Sequence, residues 1–142
     1  MTEKSFEIIS DEGIFRARTF GKTLNECFLN ALKVFGWYLK PDIVSLVKKA
    51  KKVKNEIKVE AIDLNSLAVE FLSEVLSRST ADNLVPTGIT FKRFGENFLE
   101  GDLIGISVDT FEKELKSVSY DKVDIKKNPE TGLYEFILAF EI

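Results

Sequence analysis

The last seven residues, Phe136 to Ile142, read FILAFEI, which sets the acidic side chain of Glu141 immediately before a chain-end carboxylate on Ile142. Strand alternation places Tyr134, Phe136, Leu138, Phe140 and Ile142 on one face, and Leu133, Glu135, Ile137, Ala139 and Glu141 on the other. Two unit charges about 4 Å apart repel by roughly 1 kcal/mol in water, and by more where water is excluded. One reading therefore expects a positive partner at this end, either a lysine or a divalent ion bound through oxygen. The other is a frayed strand end with both carboxylates in water. A second pair of acids, Asp11 and Glu12 in SDEGIF, stands beside Gly13 between two strand-like pieces. Adjacent acids at a glycine suit a plain turn equally well. Lys116 lies in EKELKSVSYDKV, with Glu112, Glu114, Ser119, Tyr120 and Asp121 around it, and a strand lysine ordinarily points to water.

The chain has no histidine and one cysteine, Cys27. That removes Ser-His and Cys-His nucleophile pairs, histidine zinc sites and the usual general base near neutral pH. It also removes internal disulfides and cysteine metal clusters, and it suits a reducing compartment. A carboxylate enzyme remains conceivable but ranks last, because no matched acid and base pair stands out. At 142 residues and 44% hydrophobic, residues 1–142 are expected to form a single domain with a sizeable core. Twenty basic against 23 acidic residues give a net charge of −3, which argues against a general affinity for nucleic acid or anionic membrane. The N-terminal MTEKSFEIISDEG has no apolar run of signal-peptide length, and no stretch is long enough for a membrane span, so a cytoplasmic location is expected.

The elements that must position these residues are legible from period. Leu24, Cys27, Phe28, Ala31, Leu32, Phe35 and Tyr38 fall on one helical stripe, started by a Thr23/Glu26 capping box after Gly21 and stopped before Pro41. Leu64, Leu67, Ala68, Phe71, Leu72, Val75 and Leu76 form a second stripe, capped by Asp63. VKNEIKVEAI alternates Val53, Ile57, Val59 and Ala61 against charged residues, as a half-buried strand does. GITFKRF, LIGISVD, LKSVSYDKVDI and LYEFILAFEI follow as strands, with NPETG as a hairpin turn between the last two. A run of strands after the helices points to α+β architecture. The lysines of KKAKKVK (Lys48, Lys49, Lys51, Lys52 and Lys54) have no arginine or aromatic among them and read as a solvated loop or helix end. Most of the twelve phenylalanines fall on the apolar stripes and read as core, as does Cys27.

Four segments in this order resemble the archease family, small cytoplasmic accessory proteins of the RtcB-class tRNA-splicing RNA ligase. FGKTLNECFLNALKVFGWYL, VEAIDLNSLAVEFLSEVL, LKSVSYDKVDI and the closing FILAFEI are each similar to a family segment. The resemblance implies a two-layer α+β domain with two main helices on one face of a mostly antiparallel sheet. It also implies a non-enzymatic cofactor that promotes guanylylation and multiple turnover of the ligase, meeting RNA only through that partner. Self-association stays open. By resemblance, Glu141 matches a penultimate acidic metal ligand and Lys116 a functional lysine. The family's DHTAD motif pairs without gaps onto Ser10, Asp11, Glu12, Gly13 and Ile14, which puts Ile14 where an aspartate ligand is expected. A three-residue shift would offer Asp11 instead. The implied metal set is Asp11, Glu12, Glu141 and Ile142, for calcium, magnesium or manganese. A protein- or RNA-binding module of the same fold that has lost the metal is the alternative.

Overall fold

The structure is a computed structural model that describes residues 6–42, 51–111, 113, 115–119 and 123–142, with the backbone alone at positions 10–12. Its elements in order are β1 (Phe6–Glu12), β2 (Ile14–Gly21), α1 (Leu24–Leu39), β3 (Lys52–Glu60), α2 (Leu64–Asp82), β4 (Leu84–Phe94), β5 (Phe98–Ser107), β6 (Ser117–Ser119), β7 (Lys126–Lys127) and β8 (Tyr134–Glu141). The fold is α+β, and every described strand pairing is antiparallel.

Both helices start where their caps predict. Thr23 is extended and its Oγ1 accepts the Glu26 N–H at 3.1 Å, satisfying one of the free amides of the first turn. The Glu26 carboxylate accepts from the Lys22 N–H at 3.3 Å, one residue before the amide a full capping box would use. Six of the seven stripe residues of α1 are buried. At α2 the Asp63 Oδ1 accepts the Ser66 N–H at 2.8 Å, and this hydrogen bonding to Ser66 holds the Asp63 carboxyl below its ordinary range. The helix runs beyond its apolar stripe to Asp82 and closes on Asn83, at φ 50°.

The expected sheet divides into two. One has the order β1-β2-β8-β6, with β7 also pairing β8, and the other is β3-β5-β4. β4 and β5 are longer than GITFKRF and LIGISVD predict. Pro86 masks the start of β4, yet β4 is an edge strand whose ladder shifts register between Pro86 and Gly88, so the missing N–H costs little. Asp102 breaks the apolar pattern of β5, but its carboxylate lies between the ammonium groups of Lys54 at 3.4 Å and Lys92 at 3.6 Å. Of LKSVSYDKVDI only Ser117–Ser119 is strand among the described residues, while Tyr120 and Asp121 lie outside them. NPETG does make the turn into β8, with Gly132 at φ 74° and the Asn128 N–H bonded to the Leu133 carbonyl at 2.8 Å. Lys48 and Lys49 lie outside the described residues, and Lys51, Lys52 and Lys54 are exposed.

One apolar core joins α1 and α2 to a face of each sheet: Phe15, Ala17, Phe136, Leu138 and Phe140 from the first, Ile57, Val59, Leu99 and Leu103 from the second. Gly36 marks the point where α1 crosses β4, because a Cβ there would collide with the Pro86 carbonyl oxygen. Alanine would add about 1 kcal/mol of helix propensity. The obstacle is backbone, however, and overpacking costs about 1–3 kcal/mol. Gly36→Ala is therefore expected to lower the unfolding free energy in urea by about 1 kcal/mol, while Gly88→Ala, with open space around its Cβ position, leaves it within about 0.5 kcal/mol.

Cys27 is fully buried, and desolvation pushes its thiol from 9.0 up to about 12. The folded chain therefore keeps a proton that the unfolded chain releases, so this residue's contribution is intact below pH 9.0 and is lost as pH rises toward about 12. Urea unfolding across that alkaline range should show a steeper fall in stability for the wild type than for Cys27→Ala.

Candidate functional site

The ladder between β2 and β8 runs from Ile14 opposite Glu141 to Gly21 opposite Tyr134 without a register shift. Gly13, at φ 76°, turns β1 back so that Glu12 stands across from Ile14. On the other side Ser117 of β6 stands across from Glu141. Glu12, Ile14, Glu141 and Ser117 thus form one row across four strands, and Asp11, Phe15, Phe140 and Val118 form the next. The backbones of the early Asp-Glu pair and of the penultimate glutamate lie at one end of the same sheet. Strands lie about 4.8 Å apart, so the backbones at positions 12 and 141 are roughly 10 Å apart with Ile14 between them.

Glu141 is exposed, and its carbonyl accepts the Lys116 N–H at 2.8 Å. That bond seats Lys116 at the same edge, with its side chain exposed. Ile142 is half-buried and packs against the core. On the face that Glu141 shares, the other described acid of β8, Glu135, is 4.0 Å from the Arg18 guanidinium, which also holds Glu7 at 2.8 Å. Glu141 is therefore the β8 acid farthest from that internal network.

Ile14 presents hydrocarbon directly opposite Glu141, so it offers no ligand to a cation. Among the described residues no group of three or more Cys, Asp or Glu side chains is placed to hold a metal ion. The Glu141 carboxylate is an oxygen ligand of the type a hard divalent ion takes. The side chains of Asp11 and Glu12 lie outside what the structure describes.

Two residues of this end escaped the sequence reading. Ser117 sits inside the segment carrying Lys116, but its pairing with Glu141 needs the register. Lys113 places its ammonium 4.9 Å from the centroid of the Tyr38 ring, a partner far away in sequence.

The model of the Archease protein family matches residues 6–139. The chain belongs to the archease family. It is 32% identical over 134 residues to an archease of Pyrococcus furiosus, covering 88% of each chain. It is 28% identical over 141 residues to an archease of Methanosarcina barkeri, covering 89% of this chain and 90% of that one. Its fold is shared with protein 1598 of Methanobacterium thermoautotrophicum, solved in solution, at TM-score 0.74 and 21% identity over 97% and 99% of the two chains. It is shared also with a Thermotoga maritima archease, described as a possible chaperone, at TM-score 0.60 and 13% identity over 100% and 98%. Like those archease structures, the chain sets two helices against antiparallel sheets, and no described helix is long and apolar enough to cross a membrane.

The row geometry makes a direct test of adjacency. Ile14→Asp would place a carboxylate opposite Glu141, and like charges directly opposed cost up to about 1 kcal/mol. Ile14→Asp should unfold at lower urea than Ile14→Asn in low salt, and the gap between the two should close at high salt as screening removes the repulsion.

Proposed function

We propose that this archease-family chain is a non-enzymatic cytoplasmic cofactor that activates an RtcB-class tRNA-splicing RNA ligase by promoting its guanylylation, and that the acidic end of the β1-β2-β8-β6 sheet is its working surface. The observation that supports the reading best is the row Glu12, Ile14, Glu141 and Ser117. The family resemblance assigns the work to the penultimate acid and an N-terminal acid, and in this chain they share one sheet end. Register also favours the gapless pairing of the N-terminal motif, since Ile14 stands where a ligand facing Glu141 would be.

In this reading Glu141, with Asp11 or Glu12 of β1 two strand spacings away, would hold calcium, magnesium or manganese. A bound divalent ion supplies positive charge for the phosphates of the ligase's nucleotide. Glu141 supplies oxygen at an exposed position, and Lys116, tied to Glu141 through the backbone, presents an ammonium group to phosphate or carboxylate. RNA is reached only through the ligase. A second reading, a binding module of the same fold without the ion, draws on the hydrocarbon of Ile14 in the middle of the row.

Glu141→Ala separates them. Because Glu141 is exposed, the variant should keep its urea midpoint, and it should stimulate guanylylation and turnover of a partner ligase at least roughly tenfold less than wild type at fixed GTP and divalent ion. Undiminished stimulation would rule out the role given to this end. Calorimetric titration with manganese or calcium gives the parallel measurement: heat that disappears in Glu141→Ala supports the metal reading, and silence in the wild type supports the module.

A further inference from the structure

We propose that the open edge of β1 is a docking strand, which takes by strand addition an extended segment of another protein whose apolar residues alternate with lysine or arginine. The proposal needs no ion and does not rest on the function given to Glu141.

β1 ends the sheet β1-β2-β8-β6, and among the described residues it pairs with β2 alone. The backbone groups along its other side are therefore open to a further strand. Phe6 and Ile8 stand across from Thr19 and Ala17, which are fully buried, so both lie on the core face of the sheet. Ile8 is nevertheless 42% exposed, and Ile9, which the register shift leaves without a partner on β2, is 44% exposed. A core-facing isoleucine open to water marks an apolar layer that is unfinished at this edge. Ile62 is the other exposed large apolar residue among those described, and it lies outside this sheet.

The helix over this face adds an aromatic anchor. Trp37 of α1 is half-buried, with its ring 6.1 Å from Phe6 and 6.3 Å from Phe15. A strand one spacing beyond β1, about 4.8 Å, would set every second side chain against Ile8, Phe6 and the open part of Trp37 while its backbone paired with β1. Large aromatic side chains at such a contact dominate its energetics, because they bury much apolar area.

Charge selects the kind of strand that fits. β1 reads FEIISDE, so neither the lysine nor the proline that commonly guards an edge is present. The strand is acidic by composition, and the two arginines of β2, Arg16 and Arg18, leave the pair of strands still negative. That charge disfavours a second copy of β1 as occupant, since self-pairing brings two acidic strands within a Debye length of about 8 Å. It favours lysine or arginine at the positions of the incoming strand that face away from the core. The bulge at Ile9 interrupts long, flat pairing, which restricts the added strand to a short one.

The probe is a capped peptide of about ten residues alternating lysine and valine, long enough to pair along one strand. Trp37, the only tryptophan, reports its binding to the full chain by fluorescence. Wild type should bind it saturably, and at least roughly tenfold more tightly than the glutamate–valine counterpart. The same lysine–valine peptide N-methylated at every amide keeps its charges but cannot pair with β1, and it should bind at least roughly tenfold more weakly. Ile8→Lys and the uncharged Ile8→Thr should each weaken binding of the parent peptide at an unchanged urea midpoint, whereas Ile62→Lys should leave it as in wild type. The proposal is overturned if the N-methylated peptide binds as well as its parent, if both Ile8 variants bind like wild type, or if the parent peptide does not bind. Sedimentation that shows wild-type dimers lost in Ile8→Lys would assign the edge to a second copy and overturn it as well.

Discussion

The pairing of β2 with β8 is the constraint on which the rest of the molecule depends. It runs over eight paired positions with no bulge, whereas β1 beside it shifts register between Ile8 and Ser10. Slipping it by one residue would exchange the faces of every side chain on β8. Phe136, Leu138 and Phe140 would leave the core, and Glu141 would enter it. The register that buries the rings is therefore the one that puts the penultimate acid at the exposed sheet end. Core packing and site geometry are one condition here, not two.

Other contacts hold that ladder to the helices. The Thr19 hydroxyl donates to the Cys27 carbonyl at 3.0 Å, the Asn30 amide donates to the Phe20 carbonyl at 2.7 Å, and the Cys27 thiol lies 3.7 Å from the Tyr134 carbonyl. These bonds seat the start of α1 on the end of the sheet away from Glu141. Toward the acidic end, Phe35 and Tyr38 of α1 meet Phe140 at 5.4 Å and Phe15 at 4.4 Å. The segment carrying the lysines is held from two sides: Lys116 bonds to β8, and the Ile125 N–H donates to the Asn65 side chain of α2 at 2.9 Å. A strand of only three residues, β6, is enough to set the backbone at Lys116 when its flanks are tied in this way.

Local signals made much of this readable in advance. Both helices announce themselves through a 3.6-residue stripe and a side-chain cap, and β8 through strict alternation, because these patterns need only near neighbours. The lengths of β4 and β5 were hidden because Pro86 and Asp102 are accommodated by partners far along the chain: an edge position with a register shift, and two lysines on adjacent strands. The division into two sheets is a matter of long-range pairing, which composition does not encode. At the site, Glu141, Asp11, Glu12 and Lys116 stood out by type, and the resemblance to the archease family was needed to suggest that they meet. Ser117 and Lys113 depend on a cross-strand register and on a ring in α1, so neither had a signal in its own neighbourhood.

The hydrocarbon of Ile14 in the acidic row sets the terms on which this end could hold an ion. Acids on adjacent strands face each other at about 5 Å, whereas positions 12 and 141 are two strand spacings apart, roughly 10 Å. Metal–oxygen bonds of about 2.3–2.6 Å close about half of that span. The remainder must come from side-chain length, and glutamate is one methylene longer than aspartate. A site built by reaching across an apolar residue loses side-chain entropy on closing and gains one fewer carboxylate than a site with an acid at the centre. It should therefore hold a bare ion weakly.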